Sequence, residues 1–341
     1  MSLVTMADIA AEAKALSSDV ALVLAADPRV PPEVHRRIVD AIDAASYLPL
    51  GAVRARLGRP LRFAVVFKNY LGDDPEANRF YMPVAAAIAI ACAQDDAEIR
   101  QATMTVDAHY ELVDVPAALS DHPYDGAFII GAKLGAGIAE RMRSICPIVL
   151  VDGYSEGDQL DSVVSDNAAG AKSAVEHLVA LGHRDIALIG TEPDSYPSVL
   201  DRRMGYAQAL ERRGLATHFV DASYVLTQAV AVLAVDYIEA NPAVTAVFGV
   251  NDLVAVAFMQ VARNAGLRFP ADMSLVGFDD IDLASLVMPS LTTLAVDKAL
   301  MGRAAFALMA HRLEVETAEP VKAVVLPRLI ERESVAPPRG R

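Results

Sequence analysis

Three apolar runs of the chain each end in side chains that accept hydrogen bonds: Asp152 follows Ile148–Val151, Asn251 and Asp252 follow Val247–Val250, and Asp279 and Asp280 follow Ser274–Phe278. Near-continuous apolar runs are the mark of parallel strands covered on both faces, and ligands of such sheets lie at the carboxyl ends of the strands. An ionised carboxylate there accepts two hydroxyl hydrogens, so the chemistry on offer is recognition of a polar, hydroxyl-bearing molecule. Asp and Asn serve strand-end turns and helix caps equally well, and that reading stays open for Asp166, Asn167 and Asn251.

Bond-making chemistry has little to stand on. There is no nucleophile elbow, phosphate-binding loop or metal triad; Gly131, Gly135 and Gly137, which follow the Ala127–Ile130 run, have the wrong spacing for a dinucleotide loop, and Gly190-Thr191 is too sparse for one. Neither an enzyme nor a cofactor is expected, and the two cysteines, Cys92 and Cys146, sit in apolar settings as reduced core thiols with no metal spacing.

The elements that must position these residues follow from length and rhythm. A chain of 341 residues, 54% hydrophobic and 22% charged, can bury two or three sizeable cores. No apolar run is long enough for a membrane span and no secretory leader is visible, so a cytoplasmic protein without membrane attachment is expected. From Arg62–Phe67 onward, strand-like runs (Ala127–Ile130, Pro147–Val151, Asp185–Ile189, Ala246–Val250, Ser274–Phe278) alternate with helical stretches such as Met82–Gln94. That alternation predicts a parallel α/β core, too long for one sheet and hence two doubly wound lobes with a ligand cleft between them.

The first residues have a different rhythm. Thr5 with Asp8 three positions on starts a helix to about Ala13, and Ser17 or Ser18 starts a second whose Val20, Val23 and Leu24 share a face. A third helix follows Pro31-Pro32, burying Val34, Ile38, Ala41, Ile42 and Ala45, and the 50–60 stretch with Gly51, Gly58 and Pro60 is a linker of weak helical tendency. This is a helix-turn-helix bundle in spacing, and spacing alone fits a helical cap as well as a DNA reader. The net charge of -14, and seven basic against seven acidic residues over 1–60, leave such a reader without the usual positive surplus toward phosphates.

Along its whole length the chain resembles the lactose repressor (LacI) family of bacterial transcription regulators. The words that carry the likeness occur in that family's order: Thr5-Met6-Ala7-Asp8-Ile9-Ala10, Tyr47-Leu48-Pro49, the Val175–His183 segment with Gly182-His183, Arg202-Arg203-Met204-Gly205-Tyr206, Asn251-Asp252, Val276-Gly277-Phe278-Asp279-Asp280, Leu291-Thr292-Thr293, Leu326-Pro327 and Arg332-Glu333-Ser334. The resemblance implies a helix-turn-helix DNA-binding domain over 4–48, a hinge over 49–60, and an effector-binding and dimerisation core over 61–338 like that of periplasmic sugar-binding proteins. In that core an N-lobe would take about 61–163 and 292–321, and a C-lobe about 164–291 and 322–338.

It also implies a sequence-specific regulator, a repressor by family habit, that works as a homodimer or tetramer on operator DNA under control of a small polar effector, sugar- or nucleoside-like. The alternative is a ligand sensor that no longer reads DNA and acts through protein association. Arg202 falls at the family's effector-binding arginine; its planar fork with the Asp279 carboxylate would clamp a polyol. Asp152, Asp166, Asn167, Asn251 and the aromatic pair Phe80-Tyr81 fall at effector positions too, where a ring would stack on an apolar sugar or base face, while the family's aromatic near Asp221 is either missing at Ala222 or shifted to Tyr224. On the DNA side the matching positions are Thr5, Ser17, Ser18, Asp19, Ala21, Leu22, Arg29, Arg54 and the minor-groove wedge Leu57. Several depart from the family: Lys14 stands where it has Gly, Asp19, Ala21, Leu22 and Ala25 replace polar readers, Leu50 replaces Asn, Val296-Asp297 replaces a Gln-type residue, and the 69–78 turn is longer than usual.

Overall fold

The computed structural model describes residues 4–24, 27, 29–45, 47, 50–69, 79–107, 111–121, 123–158, 160–225, 227–315 and 319–339. Four helices come first, α1 (Met6–Ala13), α2 (Ser17–Leu24), α3 (Pro32–Ala45) and α4 (Gly51–Leu57). Thr5 starts α1 because its hydroxyl accepts the Asp8 amide while the Asp8 carboxylate takes the Thr5 N–H at 2.8 Å, a reciprocal capping box. Thr5→Ala is expected to lower stability by about 1 kcal/mol, read as a small fall in the denaturation midpoint. Lys14 ends α1 in the left-handed region, φ 50° and ψ 51°, a conformation that costs a non-glycine residue about 1 kcal/mol.

The α/β part begins with β1 (Arg62–Asn69), α5 (Tyr81–Gln94), β2 (Glu98–Thr105), α6 (Ala117–Asp121), β3 (Gly126–Ile130), β4 (Lys133–Leu134), α7 (Ala136–Arg143), β5 (Ile148–Val151), β6 (Tyr154–Ser155) and β7 (Asp161–Ser165). It continues through α8 (Asn167–Ala180), β8 (Ile186–Thr191), α9 (Pro197–Glu211), β9 (His218–Asp221), α10 (Thr227–Ala240), β10 (Ala246–Gly249), α11 (Asp252–Asn264), β11 (Ser274–Asp279), α12 (Asp282–Leu286) and β12 (Thr292–Ala295). Last come α13 (Lys298–Glu314), β13 (Lys322–Val325) and β14 (Arg328–Ile330).

Two six-stranded sheets result, ordered β13-β7-β5-β3-β1-β2 and β14-β12-β11-β10-β8-β9. In each, the chain leaves a central strand in one direction (β1 to β2, β8 to β9) and then in the other (to β3, to β10), which opens a crevice at the strands' carboxyl ends. The chain forms two compact units. One runs to Val164 and takes back Asp297–Val325; the other is Ser165–Val296 with the chain from Leu326 on. No helix of the described residues is long and apolar enough to cross a membrane.

The crossings differ from the sequence expectation because backbone pairing decides them. Thr292, expected to open an N-lobe segment, lies in β12, which pairs in parallel with β11 in the second sheet through Val276↔Thr292 and Phe278↔Leu294. The first sheet instead gains β13, beside β7; there Ser162 donates its N–H to the Val321 carbonyl and the Asp161 carboxylate accepts the Val321 N–H and the Arg312 guanidinium. The N-terminal bundle is part of the first unit rather than a separate body.

Within that unit α13 is buried on nearly every side. It packs on α5 so closely that a Cβ at Gly302 would come within 2.5 Å of the Ala87 Cβ, and it also packs on β5 and α2. Both cysteines are buried and free; burial pushes the Cys92 thiol up to about 12 and the Cys146 thiol up to about 11.

Candidate functional site

In the second unit the carboxyl ends of the strands converge on Arg202, which is 6% exposed. The first turns of α9 carry it inward, where its guanidinium has three acceptors: Nε donates to Asn167 Oδ1 at 2.8 Å, Nη1 to the Val250 carbonyl at 2.8 Å and Nη2 to Asp279 Oδ1 at 2.9 Å. Its plane lies over the Phe278 ring, 3.8 Å from the centroid. Asn167 is fixed in turn, with Nδ2 donating to the Ser165 carbonyl. A fork held this rigidly presents its remaining edge, and the Asp279 carboxylate beside it, in one orientation.

The backbone under the acids is unusual. Asp279 has φ 106°, Asp280 φ 50° and Asp152 φ 45°, conformations that persist at about 1–3 kcal/mol each only where neighbours hold them. For Asp279 and Asp280 the neighbours are Arg202, Arg332, whose Nη2 reaches Asp280 Oδ1 at 2.7 Å, and Asp252. Asp252 is wholly buried, accepts the Thr293 hydroxyl and takes the Ile281 N–H at 2.9 Å, so it pins the turn just after β11. Burial, with the Asp279 charge nearby, pushes its carboxyl up to about 8. Asp280 is thereby an anchor of the turn.

In the first unit the carboxyl ends carry a second polar and aromatic group. Tyr81, at the start of α5, donates its hydroxyl to Asp152 Oδ2 at 2.9 Å, and its ring stands edge-on to Phe80 at 5.3 Å. Lys68, 1% exposed near the end of β1, places Nζ 5.3 Å from the Tyr81 ring centroid, and Lys298, opening α13, places Nζ 5.4 Å from that of Phe80. The tyrosine can lie there because position 131 has no side chain: a Cβ on Gly131, which has φ 73°, would be 2.7 Å from Tyr81 Cζ. Gly131→Ala is expected to cost roughly 1–2 kcal/mol from backbone strain alone, with a change in tyrosine fluorescence as the ring is displaced.

Asp166 and Asn251 are helix caps, accepting the amides of Ala169 at 3.0 Å and Val254 at 2.9 Å. Tyr224 stands in the turn between β9 and α10, half-buried. The sequence reading missed Lys68, Lys298, Phe278 and the Asp252–Thr293 pair. A lysine closing an apolar strand run was the available signal for Lys68; the others need the fold.

The N-terminal bundle holds its expected DNA contacts otherwise than a free reader would. Ala21, expected on the reading face, is fully buried, with Val20 and Val23, and α2 packs on α13 as well as on α1 and α3. Ser17, Ser18, Asp19 and Leu22 are half-buried, and Asp19 accepts the Leu16 N–H at 3.0 Å, so its carboxylate serves the first turn of α2. Arg29 is bound to Asp27, with Nη2 to Oδ2 at 2.6 Å. Arg54 donates to the Asp95 carbonyl at 2.8 Å and to Asp96 at 3.0 Å. Leu57 remains 41% exposed. Ala25 and the 70–78 turn lie outside the described residues.

Two carboxylates stand at the foot of the bundle, Asp95 buried and Glu314 half-buried. Glu314, the last residue of α13, accepts the Met6 N–H and the Tyr47 hydroxyl, the latter at 3.1 Å. Burial pushes its carboxyl up to about 7 against the pull of those two donors. Asp95 accepts the Leu50 N–H at 3.3 Å and is also raised by burial.

Comparison with known proteins gives the site its context. A periplasmic binding protein-like domain matches residues 175–335. The transcriptional regulator CelR of Thermobifida fusca is 26% identical over 336 residues, 97% of this chain and 98% of the relative. The transcriptional repressor CytR of Escherichia coli is 26% identical over 316 residues, 91% and 90% of the two chains. The solved complex of the regulator CelR with cellobiose superposes with a TM-score of 0.68 at 25% identity, covering 97% of this chain and 99% of that one.

Proposed function

We propose, for a chain that belongs to the LacI family of transcription regulators, that it is a DNA-binding repressor whose operator affinity is set by a small polar effector. The observation that carries the reading is the Arg202 cluster. A buried guanidinium fork locked by Asn167, the Val250 carbonyl and Asp279 is built to receive hydroxyls, and it stands at the carboxyl ends of parallel strands. Arg202 and Asp279 are its central contacts. Asn167 sets the arginine, and within the first unit Phe80, Tyr81 and Asp152 form a candidate group of their own, a ring surface beside an acceptor. Asp166, Asn251 and Tyr224 complete the candidate set.

The effector class is a sugar or a nucleoside-like polyol; cellobiose, bound by CelR, is the first to try. The chain works as a homodimer, as a regulator and not an enzyme. A ligand acts on operator affinity only through its differential affinity for two states, typically about 1–3 kcal/mol.

A thermal-shift screen with mono- and disaccharides and nucleosides, followed by anisotropy with DNA flanking the chain's own gene, tests both halves. A stabilising compound that also changes DNA affinity is the expected result. DNA binding that is absent on every fragment would leave the second reading, a sensor acting through protein association, which the burial of Ala21 favours.

A further inference from the structure

Helix α2 has a partner that a DNA-reading helix does not need. In a free bundle its Val20, Val23 and Leu24 side would face α1 and α3, leaving Ala21 outward, about 100° or less from Ser17 and Ser18 around the helix. Here Ala21 is fully buried, and α2 packs against α13 in addition to α1 and α3. The residues that replace polar readers, Ala21 and Leu22, suit an apolar helix–helix contact. Packed helices stand about 8–10 Å apart, and a helix about 10 Å thick fills a major groove about 12 Å wide. One face of α2 therefore cannot meet α13 and base edges at once.

The contact is also latched. Glu314 takes the Met6 N–H and Tyr47 hydroxyl from the bundle, Asp95 at the end of α5 takes the Leu50 N–H, and Arg54 grips the Asp95 carbonyl and Asp96. Every latch is polar and would be satisfied by water on release, so the docked form can open without leaving broken bonds inside.

We propose that the face formed by α13 and the C-terminal end of α5 is a docking site for the chain's own N-terminal bundle, and that docking masks the DNA-reading face of α2 until the bundle is released. The inference rests on the DNA-binding reading given above. Apparent DNA affinity is then lowered by the undocked fraction, tenfold at about 10% undocked. The arginine Arg54 is engaged by the core in the masked form and becomes available to phosphates on release.

The test needs two readouts on the full chain. In Ala21→Cys, maleimide labelling without DNA should be as slow as that of native Cys92, and at least tenfold slower than in Leu57→Cys; hydrogen exchange on the wild-type α2 amides should show matching protection. Glu314→Leu, which removes the acceptor and leaves both donors, should speed labelling at position 21 about five- to tenfold and tighten binding to the chain's operator-containing DNA by the same factor, with Glu314→Gln in between. Rapid labelling and exchange in α2 of the free chain would overturn the masking even where DNA binding is intact. Protection that Glu314→Leu relieves, with no DNA bound by any variant, would overturn the DNA reading and the masking role with it, leaving only a docked bundle.

Discussion

Arg202→Ala is expected to lower the stability of the second unit by about 3 kcal/mol and to weaken effector binding at least ~100-fold. The wild-type guanidinium satisfies Asn167 Oδ1, the Val250 carbonyl and Asp279 Oδ1 while covering the Phe278 ring. Truncation leaves the acceptors facing a cavity. Removing one partner of a buried ion pair costs about 3–5 kcal/mol; the Asp279 side chain is 14% exposed, so water recovers part of its solvation and the lower end applies. In a unit of this size that is a fall of roughly 6–12 °C in melting temperature. The left-handed turn at Asp279 also loses the contact that holds it, so the carboxylate loses its direction as well as its partner. Arg202→Lys keeps the charge but not the fork and should fall between the two. Calorimetry of the free chain and of the chain with its screened ligand separates the effects: an unchanged melting temperature would mean that the cluster holds nothing, and a lowered one with unchanged ligand affinity would make Arg202 purely structural.

The two sheets show why some of this was readable from residue types and some was not. Strands buried on both faces, such as β3, β5 and β10, have only apolar residues to show, and their ends place Asp152 and Asn251. The edge strands β2, β9, β13 and β14 flank the sheets and bury one face or less; β2 reads Glu98-Ile99-Arg100-Gln101, mostly exposed, and resembles a loop. Interior polar strands are harder still. β7 is buried throughout although it begins with Asp161, because Arg312 and the Val321 N–H, far along the chain, satisfy that carboxylate. The same holds for β12, whose Thr293 is buried against Asp252, and it moves the crossing past Thr292. Packing of α2 on α13 joins residues almost three hundred positions apart in sequence, and no periodicity within α2 announces a third partner.

Asp252→Asn is expected to flatten the pH dependence of the second unit's stability between about 4 and 8. An ordinary aspartate carboxyl titrates at 3.8, and Asp252, buried beside Asp279, is pushed up to about 8. Between those values the folded chain holds a proton that the unfolded chain has released. Its contribution is therefore fully present below about 4 and is lost as pH rises toward 8, an effect on the order of a few kcal/mol for a wholly buried group. Asparagine mimics the protonated acid, accepting the Ile281 N–H and never ionising. Wild type and variant should melt together near pH 4, and the variant should melt higher at pH 8; parallel curves would show that Asp252 does not titrate in this range. Glu314, also raised, lies in the other unit and is common to both chains, so the difference cancels it. Ionised Asp252 would stand beside Asp279 as a second negative charge under the turn that aims it. The same titration should therefore weaken ligand binding in wild type as pH rises, and leave Asp252→Asn unaffected.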